Sequence, residues 1–188
     1  MDEEMRSLVS RFAEYLEKRS EQQLRCFYKY ETQVEGWFKG ELIYFLDREK
    51  REGRLHDIGR EKQLADDESR KTDVVIQFDE SRLISWVELK HWIGRYNRRQ
   101  NNRDWSPSLY FSNYTRYDVE KLSTMSNAGD KFMLVLFTPN PDSNEWNSGV
   151  EEFNTQFHPL SVCSLTNPSD YPEYFFLGLL HVGEVDQH

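Results

Sequence analysis

Asp73, Glu88 and Lys90 are the residues of this 188-residue chain whose types and spacing point most directly to chemistry. Glu88 and Lys90 stand two apart in the largely apolar run 83–92. Side chains alternate faces along a strand, so the two project from one side. If the segments on either side of Asp79-Glu80-Ser81-Arg82 pair as a hairpin, Phe78 meets Leu83 and every pair sums to 161. That register sets Asp73 opposite Glu88, with Cα atoms about 4.5–5.5 Å apart. Like charges facing each other destabilise a sheet unless a cation sits between them, and a divalent metal ion is the natural candidate. Of the nine lysines, Lys90 alone has an acid two residues before it. Its strand is otherwise apolar, where an unpaired charge is expensive. The competing reading is a solvent-facing salt bridge on an edge strand.

The elements that must position these residues follow from periodicity. Met5, Leu8, Val9, Phe12 and Leu16 recur at helical spacing and predict a first amphipathic helix. Thr32 followed by Glu35 has the form of a capping box, opening a helix to about Lys50 with Val34, Phe38, Leu42, Phe45 and Leu46 inward and Gly53 at its end. A polar strand is expected near 58–64, then the hairpin, then a loop over 94–108. A helix over 117–123 is followed by a buried strand over 131–138, stopped by Pro139 and Pro141. A short helix over 149–157 and a last strand over 174–182 complete the order. This predicts an α/β fold, a mixed sheet of about five strands flanked by helices. One domain over 1–188 is expected, with an N-terminal helix over 4–30 packed on a core of 31–188.

Composition sets the boundaries of function. No run approaches the roughly 20 apolar residues of a membrane span, so no membrane partner is expected. The acidic start Met-Asp-Glu-Glu-Met-Arg lacks the apolar stretch of a secretory signal, and Cys26 and Cys163 lack metal-site spacing, which points to a reducing, cytoplasmic compartment. The five histidines show no ligand spacing, and His91 is expected to point away from the Glu88 face. No phosphate-binding glycine loop, dinucleotide fingerprint or nucleophile elbow is present. The net charge of −9 argues at first against nucleic acid, but eight acids and no Lys or Arg follow Lys131, so the first 131 residues are nearly neutral. Within them Arg95, Arg98, Arg99, Arg103 and Arg116 against Asp104 make 95–117 locally +4.

Asp73, fourteen intervening residues and then Glu88-Leu89-Lys90 resemble the PD-(D/E)XK nuclease superfamily, which has the restriction-endonuclease-like fold. The resemblance spans about residues 31–138: a helix bearing an acid precedes, a hairpin carries the motif, and a helix and buried strand follow. Thr72 stands where the motif name has proline. The resemblance implies metal-dependent hydrolysis of phosphodiester bonds, most readily in DNA. Asp73, Glu88 and the Leu89 carbonyl would bind Mg²⁺, for which Mn²⁺ can substitute. Lys90 would orient the attacking water and stabilise charge on the phosphoryl oxygens. Glu35 is the candidate for the superfamily's helix-borne catalytic acid, with Glu41 as rival and Glu31 as a weaker one; completing a helix cap is its bland role.

Arg95, Arg98, Arg99 and Arg103 follow the motif strand and could meet a nucleic-acid backbone, with Trp92, Tyr96 and Trp105 stacking on bases. A solvated loop with its aromatics folded onto the core explains the same residues. The competing function class is a catalytically silent nuclease-fold module that binds nucleic acid or a protein. A homodimer or larger complex, with a partner supplying DNA contacts, is a third arrangement.

Overall fold

The computed structural model describes residues 2–63, 71–80, 84–93, 95–97, 102–104, 115–158 and 160–183. Helix α1 (Asp2–Tyr30) buries the predicted stripe and adds Tyr15, Ser20 and Leu24 to it. Asp2, Glu3 and Glu4 in its first turn complement the helix dipole. Helix α2 (Glu35–Arg51) buries Phe38, Leu42, Phe45 and Leu46 as its spacing requires. Its start differs from the capping-box expectation. Val34 rather than Thr32 occupies the cap position, and no side chain caps the helix. The buried Val34 N–H instead donates to His91 Nδ1 at 3.1 Å, so a tertiary partner replaces the local one.

Strands β1 (Asp57–Gln63), β2 (Lys71–Gln77) and β3 (Ile84–Ile93) follow. The region expected to be a loop instead forms a small antiparallel ribbon of β4 (Arg95–Asn97) and β5 (Asn102–Asp104), which pairs backbone groups that an open loop leaves to water. Helix α3 (Arg116–Ser123), strand β6 (Asp130–Thr138), helix α4 (Ser143–Gln156), and strands β7 (Val162–Ser164) and β8 (Phe176–Val182) complete the described elements. The fold is α/β, with a six-stranded mixed sheet in the order β1-β2-β3-β6-β8-β7. The sixth strand is the three-residue β7, too short to leave a pattern in sequence.

Among the described residues only β3 and β6 pair in parallel, and the crossover between them contains α3. Val74, Ile76, Val87, Leu89, Phe132 and Leu134 face α1 and α2. Val75, Trp86, Trp92, Met133, Val135 and Phe137 face the other way, with Val119 and Leu122 of α3 and Trp146, Val150 and Phe153 of α4. Gly129 sets where β6 enters the sheet: at φ +118°, a Cβ there would lie 2.0 Å from the Ile84 carbonyl oxygen. Among the described residues no helix is long and apolar enough to cross a membrane.

Candidate functional site

The hairpin register is the one expected. Gln77 pairs with Ile84, Ile76 with Ser85, Val75 with Trp86 and Val74 with Val87, each sum being 161. The pairing stops there. Beyond it β2 stays with β1 to the Lys71–Gln63 pair, and β3 stays with β6 to the Ile93–Thr138 pair. The sheet therefore opens between β2 and β3 at the point where the register would next pair Asp73 with Glu88.

Side chains fill the opening in place of ladder bonds. Asp73 Oδ2 accepts from the Leu89 N–H at 3.0 Å, taking a backbone donor that a neighbouring strand would otherwise satisfy. Its other oxygen, Oδ1, accepts from Lys39 Nζ of α2 at 2.7 Å. Lys39 also reaches Glu61 Oε1 at 3.2 Å. From the opposite face of the sheet, Lys121 of α3 lies 2.5 Å from Glu88 Oε2 and donates to the Lys71 carbonyl at 3.2 Å. Lys90 does not turn to Glu88 but pairs with Asp118 Oδ2 of α3 at 3.1 Å. Asp118 Oδ1 lies 3.8 Å from Lys121. Asp118 and Lys121 are three apart on one helix, which puts both on the face turned to β3.

The electrostatics follow from burial. Glu88, Asp118 and Lys121 are buried, while Asp73, Lys39 and Lys90 are partly open. The Glu88 carboxyl is pushed up to about 7: burial is the largest cause, the Lys121 ammonium works against it, and the carboxylates of Asp73 and Asp118 add to it. Burial works against the Lys90 ammonium, yet Asp118 beside it holds its pKa above the ordinary lysine value. Lys39 follows the same logic, with Asp73 and Glu61 outweighing its burial.

Four of the residues singled out in sequence thus gather here: Asp73, Glu88, Leu89 and Lys90. Glu35 is exposed at the start of α2, near enough to Lys90 to help stabilise its charge. Its rival Glu41 accepts from Tyr15 of α1 at 2.7 Å and is committed to helix packing. Glu31 ends α1 at φ +50°. Arg98, Arg99 and Trp105 lie outside the described residues. Arg95 and Arg103 fall in the β4–β5 ribbon, where Arg95 pairs with Asp104 and Arg103 with Tyr96. Trp92 is not a stacking platform. It is buried against Phe137 and Trp146, because even-numbered β3 residues beyond Lys90 face the α4 core. His91 points away from the Glu88 face, as expected, toward Val34 and Thr138.

Sequence reasoning missed Lys39, and it read the charged helix over 117–123 without assigning Asp118 or Lys121 to the site. The i, i+3 spacing of Asp118 and Lys121 was visible, but it is indistinguishable from a solvated helical face until the helix is docked. Among the described residues no three His, Cys, Asp or Glu side chains converge as a ready-made metal cage. No family model, curated protein or solved structure matches this chain.

Proposed function

We propose that the protein is a Mg²⁺-dependent nuclease of the PD-(D/E)XK type, hydrolysing phosphodiester bonds in nucleic acid and most readily in DNA. The observation that carries the proposal is the opening of the sheet at Asp73 and Glu88, with Lys90 beside them. Buried acids and lysines concentrated where a sheet gives up its backbone pairing are costly to maintain. The element order around the opening also supports it: a helix bearing Glu35, a hairpin carrying the motif, then a helix and a buried strand.

The donor set suits Mg²⁺, a hard ion that takes one or two carboxylates and keeps several waters. Asp73 and Glu88 would hold it with the carbonyl of Leu89, whose N–H already turns into the opening toward Asp73. When bound, the ion would polarise the phosphate and acidify a water. Lys90 stabilises negative charge building on the phosphoryl oxygens and orients the attacking water. Asp118 holds the Lys90 ammonium in its charged form. Glu35, at the solvent edge, adds negative charge facing Lys90. Two exposed free cysteines, Cys26 and Cys163, suit a reducing compartment such as the cytoplasm.

One observation favours a second reading, a nuclease-like module that binds without cutting: each acid of the site already has a lysine partner. Incubation with duplex, single-stranded and branched DNA and with RNA, in Mg²⁺ or Mn²⁺, separates the two. The expected result is cleavage that falls on the order of 100-fold or more in folded Lys90→Ala and Asp73→Asn proteins. Binding without cleavage by the wild type supports the module instead, and undiminished cleavage by Lys90→Ala overturns the assigned site.

A further inference from the structure

We infer that Lys121 is an internal counter-ion of the site, holding Glu88 while no divalent cation is bound and shifting to Asp118 when a cation takes Glu88. The inference rests on the metal-dependent reading above. Its starting point is pairing: Asp73, Glu88 and Asp118 each lie against a lysine, Lys39, Lys121 and Lys90 in turn. A dication entering a largely buried cluster whose acids already lie against ammonium groups meets their repulsion unless a lysine steps aside.

The two lysines on the proposed metal ligands differ in how they can leave. The Lys39 side chain is 25% exposed and already shared with Glu61, so it can release Asp73 into solvent or onto that partner. The Lys121 side chain is 7% exposed and has no such route to water. Among the described residues the other carboxylate beside it is Asp118, whose Oδ1 is 3.8 Å away. Asp118 holds Lys90 through its other oxygen, Oδ2. Arrival of Lys121 at Asp118 therefore weakens the hold on Lys90 and frees its ammonium for phosphate. Lys121 also spans the opening, joining Glu88 of β3 to the Lys71 carbonyl of β2, so its movement relaxes the seam into which a substrate would enter.

Calorimetric titration with Mg²⁺ alone, without nucleic acid, tests this on wild type, Asp73→Asn and Lys121→Gln, together with ¹⁵N NMR of the lysine ammonium groups. The expected result is binding by wild type that is lost in Asp73→Asn and at least tenfold tighter in Lys121→Gln. The Lys121 Nζ resonance of wild type should shift with Mg²⁺ along the calorimetric curve. Wild-type binding with an unmoved Lys121 resonance, or an unchanged constant in folded Lys121→Gln, overturns the inference and leaves the metal site standing. No Mg²⁺ binding by wild type or Lys121→Gln overturns both. If Lys121→Gln does not fold, the wild-type resonance decides alone.

Discussion

At the scale of single residues, the decisive feature is that neighbours in sequence take different partners in space. Glu88 and Lys90 share a face of β3, yet Glu88 meets Lys121 and Lys90 meets Asp118. A pair two apart on a strand is separated by about 6–7 Å, so a helix docked across it offers each a closer partner. Next to Lys90 in sequence but on the opposite face, His91 has a purely structural role that can be measured. Its Nδ1 accepts from Val34 N and its Nε2 lies 3.0 Å from Thr138 Oγ1, a pattern that requires a neutral ring with the proton on Nε2. Burial lowers its pKa to about 4 from 6.5. The folded value lies below the unfolded one, so this contribution to stability is complete above pH 6.5 and is lost as pH falls toward 4. The loss amounts to about 3 kcal/mol at most, at 1.36 kcal/mol per unit. Urea unfolding of wild type and His91→Gln at pH 7 and pH 4.5 checks it. The wild type should lose more stability than the variant, and equal losses remove His91 from the account.

At the scale of elements, α1 and α2 are held by a buried carboxylate as well as by their apolar faces. Glu49 of α2 is fully buried and accepts from Arg11 Nε of α1 at 2.9 Å and from Arg54 at 2.8 and 2.5 Å. Burial alone would raise its pKa, and the two guanidinium groups reverse that and hold it below the ordinary carboxylate value. The tie is asymmetric. Arg11 and Arg54 are about a third to two-fifths exposed and regain water if Glu49 is neutralised, whereas Glu49 cannot if they are removed. Removing both hydrogen-bonding partners in an Arg11→Ala/Arg54→Ala protein, which leaves Glu49 only the Arg48 guanidinium at 3.9 Å, should cost about 3–5 kcal/mol. Glu49→Gln, which keeps the shape, removes the buried charge and leaves one oxygen to accept from the arginines, should cost about 1–2 kcal/mol. Chemical denaturation gives both numbers, and a Glu49→Gln protein destabilised as much as the double variant contradicts the asymmetry. The start of α2 shows the same dominance of tertiary partners: no capping box forms at Thr32, and the N–H of the cap residue Val34 goes to His91, distant in sequence.

At the scale of the whole molecule, the net charge of −9 bears on the polyanionic substrate proposed above. The acids after Lys131 carry most of the excess, so repulsion is concentrated in one part of the chain and the arginines of 95–103 follow directly on the motif strand. If Arg95, Arg98, Arg99 and Arg103 each meet a phosphate, replacing all four with Gln should reduce the log–log salt slope of duplex binding by about 3–4, at roughly 0.9 per contact. A binding series from 50 to 300 mM salt in EDTA, where no cleavage intervenes, measures it. An unchanged slope takes these arginines out of the interface.

Much of the fold was legible from the amino acids alone, for a local reason. Helical and strand periodicities, Gly53 after α2, the prolines after β6 and the alternation along β2 and β3 act within a few residues, and they determined the α/β class and the hairpin register that aligns Asp73 with Glu88. They also determined that Glu88 and Lys90 share a face and that His91 does not. Only the tertiary structure decided how those charges are neutralised. Lys39 comes from the helix on one face of the sheet, and Asp118 and Lys121 come from the helix on the other. They meet at the β2–β3 opening because two apolar helix faces pack on opposite sides of one sheet. Long-range charge pairing leaves no periodic trace, since a lysine on a polar helical face reads the same whether it ends in water or on a buried carboxylate.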